Sequence, residues 1–331
     1  MSAVDLVRAA RSAAPQATHV TPTGIWLRAS FVPPRLRCLI CSVPSAQLLP
    51  SNFDNSPSYN PTQVCMSTKY PSRIVCLTEE TTETLYLLGE GDRVVGVSGY
   101  TVRPPEARSK PRVSAYINAR FEKIEALRPD LILAFSDLQA DIAAELIRRG
   151  FTVVTFNQRS VDEILQMIRM VGALVGRAGA ADALADSYRR TLDAIRAQTA
   201  AREHRPRVFF EEWDNPLISG IRWVDELIEI AGGQPVFPEL RDKALGKERI
   251  VAADEVAARD PEIIIASWCG KAMKKRTIVE RPGWDRVSAV RNDHVYEIKS
   301  TYILQPGPAS LTEGVAQLQM HIARAAATVI R

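Results

Sequence analysis

Apolar positions after residue 70 follow two spacings in alternation. Short continuous runs read as strands covered on both faces: 73–77 (RIVCL), 93–97 (RVVGV), 151–156 (FTVVTF), 207–210 and 294–298 (HVYEI). Between them, apolar residues recur every three or four positions, the spacing of a helix with one buried face. A helix capped at Thr78-Glu79-Glu80-Thr81 runs through Leu85, Leu87 and Leu88 to Gly89. Further helices are predicted over 121–127, 140–149, 162–175, 178–201, 223–230 and 310–330, the last with Leu311, Val315, Leu318, Ile322 and Ala325 on one face. A helix over 178–201 would be ~36 Å long at ~1.5 Å per residue, enough to cross between two lobes. The stretch from Ser98 to Ala119 is rich in proline and small polar residues and reads as a long functional loop.

One phrase occurs twice. Residues 124–134 read IEALRPDLILA and residues 256–266 read VAARDPEIIIA. In each, a helical segment stops at a proline, Pro129 or Pro261, and an acid and a branched apolar run follow with no polar alternation. Such runs belong to parallel sheets flanked by helices, where ligands sit beyond the carboxyl ends of the strands. Those ends are Phe135-Ser136-Asp137 and Ser267-Trp268-Cys269. The expected fold is two Rossmann-like α/β lobes joined by one long rigid helix, with a ligand cleft between the lobes. The boundaries are 70–160 for the first lobe, 161–203 for the helical segment and 204–331 for the second lobe.

The chain has 331 residues, long enough for two such cores, and a formal net charge of +4. Residues 1–65 hold five Arg against Asp5 and Asp54, which leaves 37 basic and 36 acidic residues in the body. A neutral body lacks the clustered cations that phosphate binding requires, so nucleic acid is not an expected partner. No apolar run approaches the ~20 residues needed to span a bilayer. Residues 1–65 carry eight of the 21 prolines and no sustained periodicity, and are expected to be disordered or a leader translated from a start codon ahead of Met66. Neither start presents a basic n-region followed by an apolar core, the pattern of a secretory signal. The pair Cys38/Cys41 lacks a second ligand pair and is not read as a metal site.

Catalytic signatures are thin. There is no glycine-rich phosphate loop, no GxSxG and no HExxH, and the chain has four histidines. Cys269 stands at a strand end without a legible His and acid partnership, so a structural thiol is the ordinary reading and a nucleophile the alternative. Glu211 and Glu212 read as solvated or lobe-bridging carboxylates rather than an acid and base pair. Aromatic residues offer a better lead: Tyr100, Tyr116, Trp213, Trp223, Trp268 and Tyr302 fall at predicted strand ends or in long loops. Each ring can bury ~150–250 Å² against a large flat ligand. The alternative for Trp213 and Trp223 is that they plug the core of the second lobe.

From about Arg73 onward the chain resembles the substrate-binding proteins of ABC importers for cobalamin (vitamin B12) and ferric siderophores, most closely the cobalamin group. The likeness is carried by RIVCLTEETTETLYLLGEGDRVVGVSGY, RPPEARSKPRVSAYINARFEKIEALRPDLILA, NPLISGIRWVDELIEIAGGQPVF and VAARDPEIIIAS. It implies a monomeric, non-catalytic receptor without a resident cofactor or metal. That receptor would capture a corrinoid or similar metal chelate between its lobes and present it to an ABC permease dimer with its ATPase. Tyr100 and Tyr116 match aromatics that flank the corrin ring. Glu122 and Glu229 match the acid on each lobe that docks on permease arginines. The resemblance implies a periplasmic protein, while the sequence as given, without a visible signal, implies a cytoplasmic one. Residues 300–308 (STYILQPGP) depart from the polar and charged pocket residues of cobalamin binders. A siderophore or haem binder is the alternative ligand class, and a cytoplasmic corrinoid-handling protein or hydrolase on the same fold the alternative function.

Overall fold

The structure is a computed structural model that describes residues 69–329; the expected leader, its Cys38/Cys41 pair and Met66 lie outside the described residues. The first lobe runs β1 (Ile74–Cys76), α1 (Glu79–Leu87), β2 (Val94–Ser98), β3 (Arg112–Ser114), α2 (Phe121–Leu127), β4 (Leu131–Phe135), α3 (Ala140–Arg148) and β5 (Val153–Phe156). Helices α4 (Val161–Leu174) and α5 (Ala178–Ala200) follow. The second lobe begins with β6 (Arg207–Asp214), β7 (Leu217–Ser219), α6 (Arg222–Ile230), β8 (Gln234–Pro235) and α7 (Ala253–Ala258). It continues through β9 (Ile263–Ala266), α8 (Lys275–Val279), α9 (Ser288–Arg291), β10 (Val295–Glu297), α10 (Ser300–Ile303) and α11 (Val315–Val329). Both lobes lie within one unit, Cys65–Arg331.

The repeated phrase folds the same way in each lobe. Arg128 and Asp260, just before the prolines, take left-handed backbone angles (φ 47° and 44°) that end α2 and α7. The acid after each proline then reaches sideways to the neighbouring strand. Asp130 accepts the backbone N–H of Ser72 (2.7 Å) and of Arg73 (2.9 Å), and Glu262 accepts that of Arg207 (2.9 Å). The arginines answer in kind: Arg73 donates to the carbonyl of Leu127 (2.6 Å) and Arg207 to that of Asp260 (2.7 Å). Each clamp fixes a parallel register, Ile74 beside Leu131 and Val208 beside Ile263.

The first sheet has the order β3-β2-β1-β4-β5 with every pair parallel. Its switch point, where the order reverses, lies between β1 and β4, and ligand crevices form beyond such points. The second sheet has the order β10-β9-β6-β7. Here β8 pairs with the start of β6 in parallel and β7 with its end in antiparallel. The strands β4 and β9 are buried along their whole length, as runs without polar alternation require. Strand β3 lies inside the stretch expected to be loop, and β7 and β8 were likewise unmarked. Elements of two or three residues at or near a sheet edge are too short to carry a period.

Helix α4 begins with a capping box between Ser160 and Glu163 and returns along α5. The 23 residues of α5 make a rod of about 34 Å at about 1.5 Å per residue. The two helices approach so closely that a Cβ on Gly172 would overlap the Cβ of Ala181. Gly179, on α5, has nothing within 4 Å of the same position. Gly172→Ala is therefore expected to lower thermal stability by about 1–3 kcal/mol through overpacking. Gly179→Ala should raise it by about 0.5–1 kcal/mol by removing backbone entropy from the unfolded chain. Thermal melts of the two variants read opposite signs if the crossing is packed as described.

Candidate functional site

Parallel strands deliver their carboxyl ends to one edge, and in each lobe that edge carries the chemistry. On the first lobe the edge holds Thr78-Glu79-Glu80 after β1, Tyr100 after β2, Tyr116 after β3, Ser136 after β4, and Gln158 and Arg159 after β5. The fully buried Gln139 fixes part of it. Its amide oxygen accepts the N–H of Phe135 (3.0 Å) and its amide nitrogen donates to the carbonyl of Tyr116 (2.6 Å). Tyr116 itself sits in the left-handed region at φ 57°, a conformation a bulky residue adopts only where its surroundings impose it.

On the second lobe the edge is formed by the ends of β6 and β9. Glu211, fully buried, accepts the indole N–H of Trp268 (3.0 Å) and two guanidinium bonds from Arg281 (2.5 and 2.8 Å). Burial still pushes its carboxyl above the ordinary range, opposed by Arg281. Glu212 pairs instead with Arg249 (2.7 Å). Lys271 pairs with Asp214 (2.7 Å), its ammonium 4.6 Å from the ring centre of Trp213 and 4.7 Å from that of Trp268. Cys269 is exposed, yet the surrounding protein pushes its thiol up to about 11, burial acting first and the charges of Glu212 and Glu79 next.

Gly307 of the second lobe packs against Glu80 and Gln158 donates to the carbonyl of Pro306, so the second lobe lies against this edge of the first. The Tyr116 phenol is pushed up by burial and then by Glu80 of its own lobe, with smaller contributions from Cys269 and Glu212 opposite. The lobes are also stitched together beside the edge. Ala309 donates its N–H to Glu83 (3.2 Å), and Gln158 donates to the carbonyl of Pro306 (3.0 Å). Arg103 bridges Glu83 (3.0 Å) and Glu313 (2.7 Å). Gly307 lies against Glu80 so tightly that a Cβ there would strike it. The departing segment 300–308 is thus part of this inter-lobe contact.

The structure separates the aromatic candidates. Tyr100 is exposed, and Tyr116 and Trp213 are half-buried. Tyr302 is half-buried with the Arg103 guanidinium 5.2 Å from its ring centre. Trp223 is a core residue, 3% exposed, its indole donating to the carbonyl of Ile303 (2.9 Å); this corrects its placement as a ligand contact. Trp268 is equally buried and offers no free face, because Glu211 takes its N–H and Lys271 lies over the ring. Glu122 stands on α2 with its side chain 84% exposed, and Glu229 on α6 is paired with Arg241. Two hollows of about 540 and 690 Å³ lie off the facing edges. The first, beside Glu229, is lined by Arg189, Arg196, Arg205 and Arg222 and has no aromatic ring. The second includes Tyr302 and Arg103.

The residues that sequence reasoning missed are the acids of α1. Glu79, Glu80 and Glu83 are all buried, although a run such as TEETTET reads as a solvated helix start. Burial pushes all three carboxyls up, Glu80 to about 8 with the charge of Glu79 adding to the effect. Among the described residues no group of three or more His, Cys, Asp or Glu could hold a metal ion, and no helix is long and apolar enough to cross a membrane.

The periplasmic binding protein family matches residues 74–302. The chain belongs to this family. An uncharacterised ABC transporter substrate-binding lipoprotein of Bacillus subtilis is 29% identical to it over 265 residues, which cover 76% of this chain and 79% of that protein. The crystal structure of a periplasmic vitamin B12-binding protein from Vibrio cholerae superposes with a TM-score of 0.64 at 27% identity. That match covers 77% of this chain and 98% of the other. A periplasmic haem-binding protein from Roseiflexus sp. RS-1 superposes with a TM-score of 0.68 over 77% of this chain and 99% of the other; at 22% identity the likeness is one of fold.

Glu80 gives this site a pH signature. Its folded pKa of about 8 lies above the ordinary 4.5, so between those values the native state keeps a proton that the unfolded chain has released. Its contribution to stability thus falls as pH rises through that window. Glu80→Gln, which keeps an acceptor for the Thr78 hydroxyl (2.6 Å), is expected to flatten the decline of thermal stability between pH 5 and 8. A decline as steep as that of the wild type would contradict a buried, protonated Glu80.

Proposed function

We propose that this periplasmic binding protein captures a corrinoid between the facing edges of its lobes and presents it to an ABC permease. The observation that carries the reading is that the carboxyl ends of the strands bring Tyr116 and Glu79-Glu80 to the edge of one lobe and Glu212, Trp213 and Cys269 to the edge of the other, while Gly307 of the second lobe packs on Glu80 of the first. The family membership and the likeness to a vitamin B12-binding protein support it. Because α4, α5 and the 300–314 segment tie the lobes together, capture proceeds with little hinge closure. A haem or ferric chelate is the second reading, supported by the fold likeness. It is less favoured because the likeness to the vitamin B12-binding protein includes 27% identity, whereas that to the haem-binding protein, at 22%, is one of fold.

Calorimetric titration with cyanocobalamin tests the reading. The wild type should bind, and Tyr116→Ala should lose about 2 kcal/mol, on the order of thirtyfold in affinity. Trp223→Phe should change affinity little, since its ring lies in the core. Absence of heat and spectral change with the wild type would sink the corrinoid assignment.

Docking is assigned to Glu122 and Glu229. The double replacement Glu122→Ala with Glu229→Ala should leave ligand affinity unchanged and abolish uptake through the cognate permease and ATPase. Uptake at the wild-type rate would remove the docking role.

A further inference from the structure

We propose that Glu79, in the opening turn of α1, makes the cleft select a ligand rim of primary carboxamides over one of carboxylates. This rests on the corrinoid reading above and adds to it the chemical property that the cleft reads. Glu79 stands just past the carboxyl end of β1, at the switch point of the first sheet, where open α/β sheets take their ligands. It is 5% exposed, and one carboxyl oxygen, Oε1, has no hydrogen-bond partner in the protein. Buried polar groups are paired in the great majority of cases, so such an oxygen points to a partner from outside the chain. Its neighbour Glu80 packs against Gly307 of the second lobe, so this turn of the helix lies where the two lobes meet. A second buried group nearby is in the same state: Thr101, 2% exposed, has an unpaired hydroxyl. Its backbone N–H donates to the carbonyl of Ser98 (3.1 Å) at the end of β2, the strand beside β1.

The charges around Glu79 set the preference. The cations nearest these edges are already engaged, Arg159 with Asp137 (2.9 Å), Arg249 with Glu212 (2.7 Å) and Lys271 with Asp214 (2.7 Å). Lys299, exposed after β10, lines the second hollow. Glu79 and its neighbour Glu80 have no ion pair among the described residues, and burial holds both carboxyls toward the protonated form. A protonated carboxyl donates one hydrogen bond and accepts another, which is the complement of a primary carboxamide, and the two close a ring of paired hydrogen bonds. An ionised carboxyl still accepts from the amide N–H. A ligand carboxylate brings acceptors only, and its charge meets Glu79, Glu80 and Glu212 with no free cation among them to offset the repulsion.

Two rings that differ only in their rim test the assignment. Dicyanocobinamide is fringed by amides, and dicyanocobyrinic acid is the same corrin fringed by carboxylates. At pH 7 the wild type should bind the amide ring at least about a hundredfold more tightly. Glu79→Leu should weaken the amide ring about tenfold and narrow the gap, while Glu79→Gln, whose own amide can form the paired ring, should stay within about threefold of wild type. Should the leucine variant not fold, Glu79→Asp, which withdraws the carboxyl by one methylene, carries the same test. Equal affinity of the wild type for both rings, or an unchanged gap in Glu79→Leu, overturns the role of Glu79 and leaves corrinoid capture standing. Wild-type protein that binds neither ring but does bind haemin overturns the corrinoid reading and this inference with it.

Discussion

A carboxylate one residue after a proline fixes the parallel register on which both lobes depend. Asp130 and Glu262 accept the backbone N–H at the start of the adjacent strand, and Arg73 and Arg207 return bonds to the end of the preceding helix. Hydrogen bonds to charged groups contribute about 1.5–3 kcal/mol each, but their larger effect here is geometric. With both strands of a pair started at the same level, both run the same way toward one edge of the sheet. Loops of quite different length can then bring side chains to one edge. A shift of one residue would turn every apolar side chain of these fully buried runs to the opposite face of the sheet.

The two edges are held opposite one another by a second, polar layer of contacts. Glu83, Arg103, Glu313 and the backbone of Ala309 form one network across the lobes, and Glu226 accepts the N–H of Val161 at the start of α4 (2.7 Å). Trp223, anchored on the carbonyl of Ile303, packs the hydrophobic core beneath it. The lobes are thus joined by helix, core and ion pairs at once. Such a joint favours a preformed site, which lowers the ordering cost of binding and leaves affinity to the quality of the contacts. The same packing buries Glu79 and Glu80, and the raised carboxyl pKa values follow from that burial. Stability given up at neutral pH and polarity retained for a ligand have one origin, a helix start pressed between two lobes.

On the second lobe the charges are arranged in opposed pairs. Successive residues of β6 point to opposite faces, so Glu211 meets Arg281 and Trp268 while Glu212 meets Arg249. Truncating Arg281 would leave a buried carboxylate unpaired, a loss of about 3–5 kcal/mol in comparable pairs. Trp268 therefore serves chiefly as a donor that holds Glu211. Trp213 and Tyr302 of this lobe are half-buried and keep part of their rings accessible.

Much of the architecture was legible in the chain because it rests on local rules. Period, proline breaks and the doubled phrase marked β1, β2, β4, β5, β6, β9 and β10 and the long helix α5, and the motif likeness placed the chain in its family. The short strands β3, β7 and β8 escaped, since two or three residues cannot show a period. The site was legible only in part. Tyr100, Tyr116 and Trp213 do stand at or near the ends of β2, β3 and β6, where the sequence put them, but it could not tell that Trp223 lies inside the core or that Trp268 is tied to Glu211. Nor could it show that TEETTET is a buried acid cluster, because local sequence sets which residues sit at a helix start but not what covers them. That cover comes from residues 300–314, more than two hundred positions away, and burial and the proton affinities it governs depend on such distant contacts.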